Sequence, residues 1–190
     1  MGKYEEKNVG TDSLCSALSF FGNKNITCGE GGALLTNNKD LYDFVNKLHG
    51  QGQSNIRYIH DELGYNYRMT NIQAAVLYGQ LEILPEIIEM KQKVFDTYRE
   101  MISTIPFVEI QSTELNTKSP NWMMGIRILD NPYGYNHVEE FFKENGVEVR
   151  PMFYPMSSHK YIDKYINNPY NEVISHILSK ECLMLTSYPE

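Results

Sequence analysis

The chain has 190 residues, 42% of them hydrophobic, and a formal net charge of −7. That apolar share is enough to pack a core, which excludes wholesale disorder, and the acidic balance argues against a general nucleic-acid binder, which presents a basic face. A phosphate-bearing ligand stays open, because a few local lysines or backbone N–H groups suffice for one. Cys15, Cys28 and Cys182 are far apart and have neither CxxC nor metal-ligand spacing, so they are read as reduced thiols. The opening MGKYEEKNVG has no apolar signal segment and lacks the sixth-position Ser or Thr of a myristoylation motif. No apolar run nears the roughly 20 residues of a membrane span, and the expectation is a soluble, cytoplasmic protein.

In chain order, LCSALSFF (14–21) is an apolar run that predicts a buried strand. A polar, glycine-rich turn, GNKNITCGEGG (22–32), leads to ALLT (33–36), a second strand. Asn37 is placed to cap a helix running to about Leu48, with Asp40 in its first turn and Gly50 just past its end. Residues 50–69 have no strong period and predict a long loop, whose Tyr58, Tyr65 and Tyr67 speak against disorder. Thr70 and Gln73 fit a capping box at the head of a helix reaching about Leu84, where Pro85 breaks it. From 86 to 104 a second helix aligns Ile87, Met90, Val94, Tyr98, Met101 and Ile105 in one apolar stripe.

FVEI (107–110) and WMMGIRIL (122–129) predict strands. Asn136 with Glu139 predicts another capped helix, stopped by Gly146. VEVR (147–150) predicts a strand ended by Pro151, and the tail from about Asn171 to Cys182 predicts a helix. The fold class is therefore α/β, with a domain boundary near Pro85 that divides 1–84 from a compact α/β unit at 85–190.

The chemistry-bearing segment is SFFGNKNITCGEGG (19–32). Lys24 stands on a tight polar turn directly after an apolar strand. A primary amine held there is a candidate nucleophile. Gly22, Gly29, Gly31 and Gly32 flank it and let a bulky ligand approach the backbone. On these grounds alone the lysine reads as a solvated surface residue, Ser19 as a strand residue and Asn66 as a loop residue.

SFFGNKNITCGEGGALLTNN, then HGQ (49–51), GYNYRMTNIQAAV (64–76), RPMFYPM (150–156) and LTSYPE (185–190) resemble, in order, the DegT/DnrJ/EryC1/StrS family of sugar aminotransferases. The wording is most similar to the perosamine-synthase branch, whose members make a 4-amino-4,6-dideoxy sugar on GDP. The resemblance implies part of the large domain of the aspartate-aminotransferase-type fold at 1–84, then the small C-terminal α/β domain. It implies pyridoxal 5'-phosphate as cofactor, L-glutamate and a nucleotide-linked 4-keto-6-deoxy sugar as substrates, and a homodimer. Lys24 matches the lysine that holds the cofactor as a Schiff base and shuttles the proton. Ser19 matches a serine that hydrogen-bonds the cofactor phosphate. Asn66 matches an asparagine that reaches the phosphate from the neighbouring subunit.

The family's N-terminal half has no counterpart here. That half carries the glycine-rich helix start for the phosphate, the aromatic residue on the cofactor ring and the aspartate at the pyridine nitrogen. Asp12 belongs to a different stretch and is no substitute for that aspartate. A catalytically inactive remnant or interaction module is therefore the alternative. A sugar dehydratase using the same cofactor is disfavoured, since those enzymes carry histidine at the position of Lys24. His49 and His60 are candidate substrate-site bases, while His137, His159 and His176 read as surface residues. Arg57, Arg68 and Arg150 suit a phosphate or carboxylate as well as an ordinary ion pair. Trp122 reads as core.

Overall fold

The computed structural model describes residues 2–165 and 173–189. In chain order the elements are β1 (Lys3–Tyr4), β2 (Lys7–Asn8), β3 (Ser16–Ser19), β4 (Gly32–Leu35), α1 (Lys39–His49), α2 (Asn71–Glu82) and α3 (Leu84–Ile102). There follow β5 (Val108–Ile110), β6 (Thr117–Lys118), β7 (Met124–Ile128), α4 (Gly134–Glu144), β8 (Arg150–Pro151), α5 (Val173–Glu181) and β9 (Cys182–Leu185). They divide into two units, Met1–Ile88 with Leu115–Pro120, and Glu89–Glu114 with Asn121–Glu190.

In the first unit β3 and β4 form an antiparallel hairpin, with Ser16 opposite Leu35 and Ser19 opposite Gly32. The expected buried strand at 14–21 is only half-buried: Leu18 and Phe20 face a small core, whereas Ala17 and Ser19 are exposed. Successive strand side chains alternate faces, so an apolar run does not bury both. That core joins Phe20, Cys28 and Leu77, with Leu18, Ile26, Ala33 and Met69 around it. β2, β1 and β6 make a second small antiparallel sheet in that order.

The cap of α1 falls one residue later than expected. Asn38 Oδ1 accepts from the Leu41 N–H at 2.9 Å, and Thr36 Oγ1 accepts from the Asn38 N–H at 3.0 Å, so the Thr36 hydroxyl carries the chain past Asn37. The capping box of α2 is present as expected, Thr70 and Gln73 satisfying each other's backbone N–H groups. Pro85 occupies the second position of α3, where its missing N–H has no intrahelical partner to lose, so it opens that helix.

The second unit is built on a four-stranded antiparallel sheet in the order β5-β7-β9-β8. Its core joins Phe95 and Ile102 of α3 to Met124 and Ile126 of β7, Val149 and Leu183. Met124 and Leu183 are each 1% exposed, and burying such a side chain contributes about 1.5–3 kcal/mol. The stripe expected on α3 is rotated. Lys91, Phe95 and Ile102 are the buried positions, with Val94 and Tyr98 beside them, while Met101 is exposed.

Three further expectations change in this unit. α4 starts at Gly134 instead of at an Asn136 cap, because Asn131 Oδ1 accepts from the Tyr133 N–H at 3.1 Å and turns the chain earlier. Glu139 hydrogen-bonds Tyr135, whose phenol burial and that contact push up to about 12. The strand expected at 147–150 pairs only at Arg150 and Pro151, against Met184 and Leu183. A proline is tolerated there because β8 is an edge strand. The tail helix ends at Glu181 and gives way to β9, an unexpected strand next to β7; Asn171 and Glu172 lie outside the described residues. Trp122 is partly exposed and precedes β7, where its carbonyl accepts from Lys91 Nζ at 3.0 Å.

Candidate functional site

The connection between β3 and β4 carries Lys24. It closes where the Phe20 N–H donates to Gly31 O at 2.8 Å, and Cys28 folds back so that its N–H reaches Phe20 O at 3.1 Å. Within it the Lys24 N–H donates to Phe21 O at 2.9 Å, closing a tight turn beyond the end of β3. Lys24 is half-buried. Thr27 Oγ1 donates to Phe20 O at 2.9 Å and accepts from the Gly29 N–H at 2.9 Å. Gly29 takes φ +83° with nothing within 4 Å of where a Cβ would stand, so glycine serves there for its backbone rather than for space.

Two glutamines of α2 hold this connection. Gln80 Oε1 accepts from the Thr27 N–H at 3.0 Å, and Gln80 Nε2 donates to the Thr27 carbonyl. Gln73 Nε2 donates to Glu30 O at 2.9 Å. Asn25 Nδ2 ties the other side to Pro120 O at 2.7 Å. Neither Gln80 nor Asn25 was among the expected site residues. The signal for Gln80 is its spacing: Gln73, Leu77 and Gln80 follow at steps of four and three and share one helix face.

Ser19 ends β3, five residues before Lys24, and is exposed. Its Oγ accepts from the Phe21 N–H at 3.4 Å, and among the described residues its own O–H has no acceptor. Asn66 lies in the 50–69 loop, in an antiparallel bridge with Gly50. The flanking backbone pairs with the end of α1: the Tyr65 N–H donates to Leu48 O at 2.7 Å and the Tyr67 N–H to His49 O at 3.1 Å. The Tyr65 and Tyr67 rings stack at 5.0 Å, 5° from parallel. In such an extended stretch the side chains alternate, so Asn66 projects away from that pair. Among the described residues no hydrogen bond joins Asn66 to Ser19 or Lys24 within the chain. Lys47 anchors the loop through Asp61 at 2.7 Å, and this hydrogen bond holds the Asp61 carboxyl below its usual range.

The other candidates scatter. His49 Nε2 meets Asn46 Oδ1 at 2.9 Å, and His60 Nδ1 meets Gln51 O at 2.8 Å. His137 lies tilted against the Tyr133 ring and His159 against that of Tyr161, and His176 Nε2 meets Ser157 Oγ at 3.0 Å. Arg57 lies over the Tyr58 ring and Arg150 pairs with Glu148 at 3.5 Å. Among the described residues no group of three or more His, Cys, Asp or Glu is placed to hold a metal ion, and no helix is long and apolar enough to cross a membrane.

Lys24 thus stands on a glycine-bordered turn between the two strands of a hairpin. Residues 2–190 match the model of the DegT/DnrJ/EryC1/StrS aminotransferase family, and the chain belongs to that family. It is 38% identical over 189 residues to the GDP-perosamine synthase of Escherichia coli O157:H7, a match covering 98% of this chain and 50% of that protein. To the GDP-perosamine synthase of Vibrio cholerae it is 38% identical over 152 residues, covering 78% of this chain and 41% of that protein. The chain thus spans about half the length of the curated relatives it matches. A DegT DnrJ EryC1 StrS aminotransferase from Brucella abortus superposes with a TM-score of 0.86 at 24% identity, over 99% of this chain and 49% of that one. The E. coli GDP-4-keto-6-deoxy-D-mannose-3-dehydratase with bound hydrated PLP superposes with a TM-score of 0.84 at 20% identity, over 98% of this chain and 53% of that one. These likenesses establish the fold, a partial α/β fold of this family.

Proposed function

We propose that the chain is the lysine-bearing part of a pyridoxal-phosphate-dependent aminotransferase that moves an amino group from glutamate to a nucleotide-linked 4-keto-6-deoxy sugar. The observation that carries this reading is Lys24, a primary amine held on a fixed turn just beyond β3, in a chain 38% identical to a GDP-perosamine synthase. The donor set suits the cofactor: an amine for its aldehyde, and the Ser19 hydroxyl, with an O–H not engaged among the described residues, for its phosphate. Bound pyridoxal phosphate supplies an electron sink that makes an amino-acid α-C–H acidic. Lys24 Nζ would hold the cofactor, then carry the proton taken from the glutamate α-carbon. In the second half it would deliver a proton to the sugar carbon that accepts nitrogen.

Asn66 completes the site from a second copy. Its amide is exposed, is turned away from the tyrosine stack, and has no hydrogen bond to Lys24 or Ser19 of its own chain among the described residues, which supports a homodimer with shared sites. The widely spaced, reduced cysteines support a cytoplasmic enzyme, and the motif resemblance to the sugar aminotransferase family is what supports a role in O-antigen or other polysaccharide biosynthesis. A second reading, an inactive remnant or interaction module, is favoured by the half-length coverage alone. A dehydratase is disfavoured by Lys24, although the chain is 28% identical over 166 residues to the GDP-4-keto-6-deoxy-D-mannose 3-dehydratase of Yersinia pseudotuberculosis.

Borohydride trapping of bound pyridoxal phosphate with peptide mapping tests the assignment. In the complete enzyme label is expected on Lys24, and Lys24→Ala should abolish transamination. Label on Lys47 or Lys91 with Lys24 unmodified would show the assignment wrong. Mixing Lys24→Ala with Asn66→Asp chains tests the shared site, since a mixed dimer gathers both defects at one site and leaves the other intact. Activity should return to a fraction of wild type. No recovery, with mixed dimers formed and each variant dead alone, would place Asn66 in its own chain's site or in none.

A further inference from the structure

The connection carrying Lys24 has no regular structure of its own, yet its backbone is fixed by side chains from a distant helix. Gln80, 53 residues on from Thr27 in sequence, accepts from the Thr27 N–H at 3.0 Å and donates to the Thr27 carbonyl. A primary amide offers the same donor and acceptor as a peptide group, so Gln80 pairs with Thr27 as a neighbouring strand would. Seven residues earlier on α2, Gln73 Nε2 holds Glu30 O at 2.9 Å while Gln73 Oε1 accepts from the Thr70 N–H at 3.0 Å. Leu77 lies between the two glutamines and is buried against Phe20 and Cys28. The Thr27 hydroxyl adds its own bonds to Phe20 O and the Gly29 N–H. The peptide groups of Thr27 are thus held from both sides, three residues after Lys24, by polar contacts that are partly buried and correspondingly strong. A merely solvated surface turn needs no such two-ended tie.

We propose that Gln80 is a positioning residue for Lys24: by holding both backbone groups of Thr27 it sets the direction from which the lysine presents its amine. The proposal rests on the reading of Lys24 as the cofactor-holding lysine. Gln80 touches neither cofactor nor substrate; it acts through the turn. Because the amide both accepts and donates, its two halves are separable by substitution. Gln80→Leu removes both. Gln80→Glu keeps the acceptor for the Thr27 N–H, but when ionised sets a carboxylate oxygen against the Thr27 carbonyl; when protonated it donates again.

The test reads two quantities on the full chain. The first is the amide-exchange protection factor of Thr27. The second is the share of pyridoxal phosphate, trapped by borohydride at sub-saturating cofactor, that maps to Lys24 rather than to an exposed lysine such as Lys39. In Gln80→Leu, Thr27 protection should fall about tenfold, the worth of one well-made buried hydrogen bond. The Lys24 share should fall with it, by about fivefold or more, as expected when a reacting amine loses its orientation. In Gln80→Glu both should approach wild type at mildly acid pH and be lost at neutral pH, each compared with wild type at the same pH. If Gln80→Leu fails to fold, that pH-dependent rescue carries the test alone. A variant that loses Thr27 protection but keeps the wild-type Lys24 share overturns the proposal and leaves the reading of Lys24 standing. A wild-type chain that labels other lysines and spares Lys24 overturns that reading, and the proposal with it. Thr27 protection unchanged in both variants shows that the Gln80 contacts do not hold the turn.

Discussion

Replacing Lys91 by methionine isolates the polar contact at the centre of the second unit. Lys91 lies on α3 with 7% of its surface exposed, and its Nζ donates to Ser187 O at 2.7 Å, Trp122 O at 3.0 Å and Ser187 Oγ at 3.4 Å. Three acceptors match the three N–H bonds of an ammonium, which is how a buried charge is made tolerable. Burial nonetheless pushes the Lys91 pKa below the ordinary lysine value. Methionine keeps the length of the stem and removes the head. The Trp122 carbonyl then retains a donor, since Ser187 Oγ reaches it at 3.3 Å, but the Ser187 carbonyl loses the Lys91 donor. One orphaned, partly buried carbonyl costs up to about 1–3 kcal/mol, offset in part because the Lys91 charge is gone. The net expectation is a loss of about 1–2 kcal/mol, and a melting temperature lower by about 2–4 °C for each kcal/mol.

The pH dependence has a definite sign. A folded pKa below the unfolded one means that the unfolded chain binds more protons in between, so stability rises with pH there. For wild type the rise should lie in the alkaline window that ends at the ordinary value of 10.5. Lys91→Met should lack it. Urea unfolding of both proteins between neutral pH and that limit measures the difference. A variant as stable as wild type at neutral pH, with the same alkaline rise, would refute the reasoning.

Two further substitutions probe the units separately. Gly52 takes φ +67°, and a Cβ there would stand 1.9 Å from Glu62 O, so Gly52→Ala should force the 50–69 loop open and cost about 1–3 kcal/mol. Limited proteolysis should then cut within the loop while the second unit stays intact; an unchanged cleavage pattern would contradict the close approach. Leu183→Ala removes a side chain 1% exposed in the four-stranded sheet and should cost about 2–5 kcal/mol by denaturant unfolding; a loss under about 1 kcal/mol would mean that the site collapses around the gap.

Local chemistry was legible in the residues themselves. The Thr70–Gln73 capping box and the stop at Gly146, which takes φ +75°, depend on groups within a few residues of each other, so sequence alone determines them. The hairpin around the Lys24 turn was likewise visible as two apolar runs flanking a glycine-rich one, while the roles read for Lys24, Ser19 and Asn66 came from the resemblance of motifs. Where the deciding partner is distant, the sequence could not speak. Phe95 and Ile102 rather than Met101 form the inner face of α3, because that face is set by β7 and β9, and periodicity leaves a helix free to rotate by a residue. Cys182 reads as the end of a helix, and Leu183 to Leu185 carry no expected element, until β7 offers them a row of hydrogen-bond partners; Pro151 reads as a strand end until the sheet leaves it an edge. Gln80 is an ordinary polar helix residue in the sequence. Only the tertiary fold brings its amide to the peptide groups of Thr27, because hydrogen bonding to a backbone is decided by distance in space, and the face shared with Gln73 and Leu77 does not say which peptide group that face meets.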